Sequence, residues 1–480
     1  MAAVARHQTA IRRNELSRPI RLAMDAGLLP RDSCVFDYGC GHGDDLRLLR
    51  EQGYRCCGWD PVLRPRGKKK TSDVVNLGYV VNVIEDTSER EAVLLDAWSY
   101  ATRLMVVAAR HKSEERHARG ETHEDGLLTS RNTFQKYYSQ DELSGWTQEC
   151  LGIAPVAAAP GVLFVFREEE DRQSYMASRY RRRAAAPRPR KSDALFEQHQ
   201  GLLLPLMRFY GDRGRLPSNG ELSEVNAVFR ELGSLKKAFR IIVRVTGEEY
   251  WASVRRDRMD DLLVYLALLR FGKRPQLAAL PQDIQRDIKD FFSSYARACV
   301  EADRLLFSVG DIEAVDRVCA SAPVGKKTPT ALYIHASALG QLPTALRVYE
   351  GCASRYVGNV DGANIVKLHR TKPQVTYLCY PDFDRKAHPV LVGALKVHLQ
   401  TLDVEYRDFS VSENPPLLHR KELFVASDYA KRDLFESLTN QEERAGLLDE
   451  TSRIGTCNGW EDALNAAGKR LRGHRLVKAP

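Results

Sequence analysis

The segment Val35-Phe36-Asp37-Tyr38-Gly39-Cys40-Gly41-His42-Gly43-Asp44-Asp45 constrains the chain more than any other. An apolar strand runs into three glycines in a DxGxGxG pattern, and then into a helical stretch opened by two acids. Glycine lets the backbone turn sharply off a strand and lie flat against a ligand, because a Cβ would collide with it. A dinucleotide-binding fold carries GxGxxG and aims its helix at a pyrophosphate. Asp44 and Asp45 would repel phosphate there and suit a ligand bearing an ammonium or sulfonium charge; S-adenosylmethionine is such a ligand. Seventeen residues beyond Gly43, a second apolar run ends at Asp60. A carboxylate at that strand edge can accept two hydrogen bonds from ribose hydroxyls. Loop and acid together nominate Asp37, Gly39, Cys40, Gly41, Gly43 and Asp60 as cofactor-binding residues.

The rest of the first 178 residues reads as a parallel α/β sheet. Strands are expected at Cys34 to Tyr38, Arg55 to Trp59, Asp73 to Leu77, Leu104 to Ala109 and Val162 to Phe166, with helices at Asp44 to Gln52 and Glu89 to Tyr100. Residues 179–193 are basic and carry Pro187 and Pro189, so a linker is expected there. Residues 194–325 have a helical period almost throughout, including Asp260 to Arg270 and Leu280 to Ala298. Residues 326–480 read as α+β, with helices near Pro343 to Ser354 and Val390 to Leu399, and strands at Ile365 to His369, Val375 to Tyr380, Val404 to Phe409 and Leu417 to Val425. At 480 residues the chain is too long for one core. The uncharged run Cys150 to Phe166 is broken by Pro155 and Pro160 and falls short of the ~20 residues a spanning helix needs. Met1 to Arg13 has no apolar core, so a cytoplasmic address is expected. The ten cysteines include no CxxC pair and read as reduced.

The element order resembles class I methyltransferases, with Asp73 to Tyr79 as the fourth strand of that fold, Leu104 to Ala109 as the fifth, and Pro160 to Phe166 as the antiparallel last strand. The runs Phe36 to Asp45, Asn76-Leu77-Gly78-Tyr79-Val80-Val81-Asn82-Val83-Ile84-Glu85-Asp86, and Leu128 to Tyr138 extend the likeness. So do Tyr380-Pro381-Asp382-Phe383-Asp384 and Asn414 to Glu422. On these segments the chain resembles the bacterial DNA phosphorothioation-associated methyltransferases over nearly its whole length. The resemblance implies a Rossmann-like methyl-transfer domain, followed by an all-α and an α+β unit. It also implies work beside proteins that place sulfur in the DNA backbone.

Two departures from the class I pattern stand out. Only Pro61 to Ser72 separates Asp60 from the next strand, so the usual third strand is lost or very short; the basic loop Arg64, Arg66, Lys68, Lys69 and Lys70 replaces it. The slot after the fourth strand, where amino-methylating DNA enzymes carry Asp/Asn-Pro-Pro-Tyr/Phe, holds Asn76-Leu77-Gly78-Tyr79 without the prolines. Asn76 and Tyr79 are the catalytic candidates. Asn414-Pro415-Pro416-Leu417 imitates the motif in the wrong unit and reads as a rigid turn. Thr129, Ser130, Phe134, Lys136 and Tyr137 are the candidates for substrate contact, in a stretch leading to a helix capped by Ser139 with Glu142 three residues on. The segment from His7 to Arg13 is a candidate cover for the cofactor.

DNA is the expected partner, with RNA, a small molecule or a non-catalytic accessory role as alternatives. A helix from Glu221 to Glu231, a Gly233-Ser234 turn and a second helix bearing Lys236, Lys237, Arg240 and Arg244 fit a helix-turn-helix. The formal net charge of +9 is concentrated in Arg179 to Lys191, including Arg181, Arg182 and Arg183, and in the C-terminal Lys469, Arg470, Arg472, Arg475 and Lys478. These two stretches read as flexible arms that bind phosphates. His369, His388 and His419 lie among Asp382, Asp384 and Glu422, but no spacing matches a metal-ligand rule, so no metal is expected.

Overall fold

The computed structural model describes residue 4, residues 6–182 and residues 194–479. It divides into two compact units: Met1–Arg172 with Val324–Ser337 and Cys352–Pro480, and Gln173–Pro323 with Ala338–Gly351.

The first unit contains two six-stranded sheets. In the N-terminal sheet the strands Arg55–Trp59, Cys34–Tyr38, Ser72–Gly78 and Ala101–Ala108 lie side by side and parallel, followed by the antiparallel Val162–Phe166 and Val156–Ala159. Leu104 to Ala108 and Val162 to Phe166 are buried at every position, as strands covered on both faces must be. Asp86 accepts the amide of Glu89 and caps the helix Thr87–Ser99. Ser139 and Glu142 form the expected capping box on Gln140–Leu151. The usual third strand is absent among the described residues. After Trp59 the chain closes a tight turn, with a bridge between Asp60 and Arg64, and returns to the sheet at Ser72. The strand order therefore reverses beside Cys34–Tyr38, and a crevice opens at that strand's C-terminal end.

The C-terminal sheet is an antiparallel meander of Lys326–Lys327, Ala331–His335, Ala363–His369, Gln374–Cys379, Gly393–His398 and Val404–Asp408. Two expectations fail here. The helix expected near Val390 to Leu399 is the strand Gly393–His398, in which buried Leu395 and Val397 alternate with half-buried Ala394 and Lys396, a period of two. The strand expected from Leu417 to Val425 is a loop with one 3-10 turn, Lys421–Leu423, because Arg420 adopts left-handed backbone (φ 58°) and breaks any ladder. The C-terminal basic stretch is also not a loose arm. Lys469–Leu471 and Leu476–Lys478 pair as a hairpin, and Leu471 and Leu476 pack on a small core of Leu447, Leu448, Ile454 and Trp460.

The second unit is helical. The expected helix Leu280 to Ala298 is two, Gln282–Phe292 and Tyr295–Ser308, divided where Ser293 turns left-handed (φ 64°) and Ser294 caps the second. Val225–Leu232 and Leu235–Thr246 flank the Gly233-Ser234 turn as expected, with Ser234 accepting the amide of Lys237. Arg182 is not a free phosphate ligand: it is ion-paired with Asp257 and Asp261. Arg183, Arg188, Arg190 and Lys191 lie outside the described residues. All ten cysteines are free thiols. No helix among the described residues is long and apolar enough to cross a membrane.

Because the C-terminal hairpin covers apolar surface, deleting residues 469–480 should cost about 2 kcal/mol or more and lower the melting temperature in scanning calorimetry. An arm without packing would leave the melting temperature unchanged.

Candidate functional site

The glycine loop is sewn to the end of the neighbouring strand. The amides of Gly39 and Cys40 both donate to the carbonyl of Trp59, at 2.8 and 3.1 Å. The amide of Gly41 donates to Asp60 Oδ2 at 3.1 Å, while Oδ1 accepts from Val62 (3.0 Å) and Leu63 (2.8 Å). Three backbone donors thus fix the Asp60 carboxylate at the mouth of the loop, and its remaining lone pairs face a cavity of about 390 Å³. Gly39 has φ 76°, and a Cβ there would sit 2.4 Å from Val80 Cγ2, so the turn admits no side chain. Asp37, Gly39, Cys40, Gly41, Asp60, Asn76 and Tyr79 all line this cavity. Gly43 does not. It is the left-handed N-cap of the helix Asp44–Glu51, beneath the guanidinium of Arg64.

Asp37 is buried beneath the loop and accepts a hydrogen bond from Asn76 Nδ2 at 2.8 Å. Burial, with Asp45 adding a like charge, pushes its carboxyl up to about 7. Asn76 Oδ1 is buried with no hydrogen-bond partner, an orphan acceptor at the cavity wall. Burial, with Asp37 nearby, pushes the Cys40 thiol up to about 12, so it stays protonated and is no nucleophile.

Asp44 and Asp45 do not face the cavity as free charges. Asp44 accepts the amide of Arg13 (2.9 Å) and Asp45 that of Ser17 (2.7 Å). They hold the segment before the helix Arg18–Asp25 against the loop, and Arg6, paired with Glu85 and Glu89, holds its other end. Thr9, Ala10, Ile11 and Arg13 line the cavity, so the early segment forms a cover. The basic loop is likewise engaged: Arg64 donates to the carbonyl of His42, and the Lys69 ammonium lies 4.2 Å from the Trp59 ring and pairs with Asp96.

Tyr79 stands where two cavities meet. Its backbone is left-handed (φ 62°), a strained state for a residue with a Cβ, directly after the strand Ser72–Gly78. A second, more polar cavity of about 470 Å³ shares Thr9, Ile11, Arg13, Ser17, Tyr79 and Val83 with the first. Arg18, Arg21, Arg110, Asn82 and Gln135 also line it. Arg110 lies 5.8 Å from the Tyr79 ring, and Asn82 Nδ2 donates to Gln135. Sequence reasoning missed Arg18, Arg21, Arg110 and Asn82 as cavity residues, although Arg110 follows a strand's C-terminal end, where ligands collect.

Most of the stretch expected to touch substrate stops short of either cavity. Phe134 is fully buried, and Lys136 is buried with its ammonium 2.6 Å from both Asp125 and Glu142, so both are structural. Thr129 and Thr133 close a turn around Ser130, and Tyr137 lines neither cavity. Of this segment only Gln135 reaches one. In the helical unit Lys236, Lys237 and Arg240 are exposed on one face of Leu235–Thr246, and Arg181 lines a small cavity with Arg213, Arg258 and Asp287.

The Methyltransferase domain family matches residues 9–149. Solved structures similar to the chain include the 1,6-didemethyltoxoflavin-N1-methyltransferase of Burkholderia thailandensis, at 15% identity over 34% of this chain and 78% of that one, with a TM-score of 0.23. A SAM-dependent methyltransferase from Methanosarcina mazei matches at 15% identity over 32% and 96%, TM-score 0.23. The magnesium protoporphyrin IX methyltransferase of Synechocystis matches at 11% over 34% and 93%, TM-score 0.23. No curated protein matches in sequence. Residues 9–149 thus match a methyltransferase domain, the N-terminal sheet has the class I Rossmann-like fold, and the cofactor of that class is S-adenosylmethionine.

Because the Asp37 carboxyl titrates higher folded than unfolded, ionisation costs stability: the cost is absent below about pH 4, grows to about pH 7 and is constant above. The melting-temperature advantage of Asp37→Asn over the wild type should therefore widen across that window and then level off. A constant difference would mean that Asp37 is ionised throughout.

Proposed function

We propose that this chain is an S-adenosylmethionine-dependent methyltransferase acting on DNA, in a phosphorothioation-linked modification or restriction system. One observation carries the reading: a chamber with the glycine loop and Asp60 at its mouth shares a wall, at Tyr79, with a polar cavity that four arginines line. The first chamber fits the cofactor, since the loop leaves backbone where a Cβ would stand, Asp60 is held open to hydroxyls, and Asp37 offers a buried carboxyl to a cation. When bound, S-adenosylmethionine supplies a methyl carbon on a positive sulfur, which leaves as a neutral thioether when an acceptor lone pair takes the carbon.

The chain's part is placement. Asp60 would accept from the ribose, and the amides of Gly39 and Cys40 fix the loop that would hold the methionine moiety. Asn76 holds Asp37 in place, and its orphan carbonyl oxygen is an acceptor for an amine N–H. The Tyr79 ring offers a face for a flipped base at the boundary between the chambers. Arg13, Arg18, Arg21 and Arg110 suit the phosphates of a polyanion, which would displace Asp361, Glu15 and Glu114 from the last three. Lys236, Lys237 and Arg240 add a second basic surface, on the later helix of a helix-turn-helix pair.

A second reading is a non-catalytic, cofactor-binding accessory protein that docks on DNA. The absence of prolines from Asn76-Leu77-Gly78-Tyr79 favours it.

Calorimetry with S-adenosylmethionine should show binding that weakens tenfold or more in Asp60→Ala; no binding, or none lost, overturns the proposal. Labelled methyl transfer, tried on phosphorothioated DNA, plain DNA and RNA, should proceed on DNA; cofactor bound and never consumed supports the accessory role. Arg21→Glu, outside the cofactor chamber, should raise KM for the acceptor at least tenfold and leave cofactor affinity unchanged. Replacing Lys236, Lys237 and Arg240 by alanine should flatten the salt dependence of DNA binding by a slope of about 3.

A further inference from the structure

Two loops and a helix of the C-terminal region bring together a group of side chains that the methyltransferase reading does not use. His388 precedes the strand Gly393–His398, His419 follows the strand Val404–Asp408, and Glu442 lies on the helix Arg432–Arg444. Their ligating atoms all fall within 4.8 Å of one another. Glu442 is 0% exposed and each histidine 8%.

The hydrogen bonds orient the ligating atoms. His419 Nε2 lies 2.7 Å from the carbonyl of Ile454, which only accepts, so Nε2 carries the proton and Nδ1 a lone pair. That Nδ1 is buried with no hydrogen-bond partner. His388 Nδ1 faces the carbonyl of Leu418 at 3.2 Å and donates to it, and Nε2 lies 2.6 Å from Glu442 Oε1, the separation of a hydrogen bond. One proton joins that pair, and a metal ion binding there displaces it. Glu442 Oε2 is a further buried acceptor without a partner. Three ligating side chains thus converge in a buried pocket walled by Trp460, whose ring lies 4.7 Å from both imidazoles.

We propose that His388, His419 and Glu442 bind one divalent metal ion of zinc type. Two imidazoles and a carboxylate are a three-ligand zinc set, completed by solvent in the fourth position. Each histidine gives its other N–H to a backbone carbonyl, the support that fixes tautomer and ring orientation at metal centres. The ion fastens the loop before Gly393–His398 and the segment after Val404–Asp408 to the helix Arg432–Arg444. The ligands lie 31 and 23 residues apart, so no local spacing rule exposes them. The other residues grouped with them in the sequence are elsewhere engaged: His369 with Thr376, Asp384 with Tyr429 and Glu422 with Thr439.

The test uses the full chain, stripped with a chelator and titrated with Zn²⁺ and then Co²⁺. Uptake of one ion per chain is expected, with visible cobalt absorption of four-coordinate strength and no thiolate charge-transfer band. His419→Ala and Glu442→Gln should each weaken binding at least a hundredfold, with the circular dichroism of the chain retained. If the variants fail to fold, the wild-type cobalt spectrum decides alone: bands like those of aqueous cobalt, a thiolate band from any of the ten cysteines, or no uptake overturn the proposal. Uptake that is unchanged in both variants overturns it as well. S-adenosylmethionine binding involves none of these residues, so failure here leaves the methyltransferase reading standing.

Discussion

Everything at the cofactor chamber depends on one seam: the hydrogen bonds by which Gly39, Cys40 and Gly41 hang on Trp59 and Asp60. A loop of glycines has many conformations, and ordering it costs about 1–2 kcal/mol per residue in backbone entropy. The seam offsets that cost with bonds that a parallel sheet leaves available at its C-terminal edge. It also gives Asp60 two duties, since the carboxylate that faces the chamber is the one that orders the loop. Asp44 and Asp45 extend the pattern, using helix-start carboxylates to order backbone rather than to meet a ligand directly.

The lost third strand could have left the sheet's edge bare. Instead the chain turns back at Arg64, and Lys69 is set against Trp59 and Tyr38 with Asp96 as its counter-charge. The basic run therefore has structural work, at least at Arg64 and Lys69, and its charge says little by itself about phosphate.

The sequence was most informative where local chemistry decides structure. The glycine turn, the Ser139 cap and the Gly233-Ser234 junction follow from residue types a few positions apart, and all three stand where they were expected. It was least informative where partners are distant. Gly393–His398 looked helical because its apolar density hid a period of two, which only pairing with Gln374–Cys379 brings out. Lys136 looked like a substrate contact because nothing nearby in sequence announces Asp125 as its counter-ion. The arginine-lined cavity was illegible for the same reason: Arg18, Arg21 and Arg110 come from segments some ninety residues apart that the fold places on one wall.

The early segment has a kinetic meaning beyond its role as a wall. The strap is tied at Arg6, Arg13 and Ser17. Its release is a local unfolding event, visible as hydrogen exchange at the amides of Arg13 and Ser17.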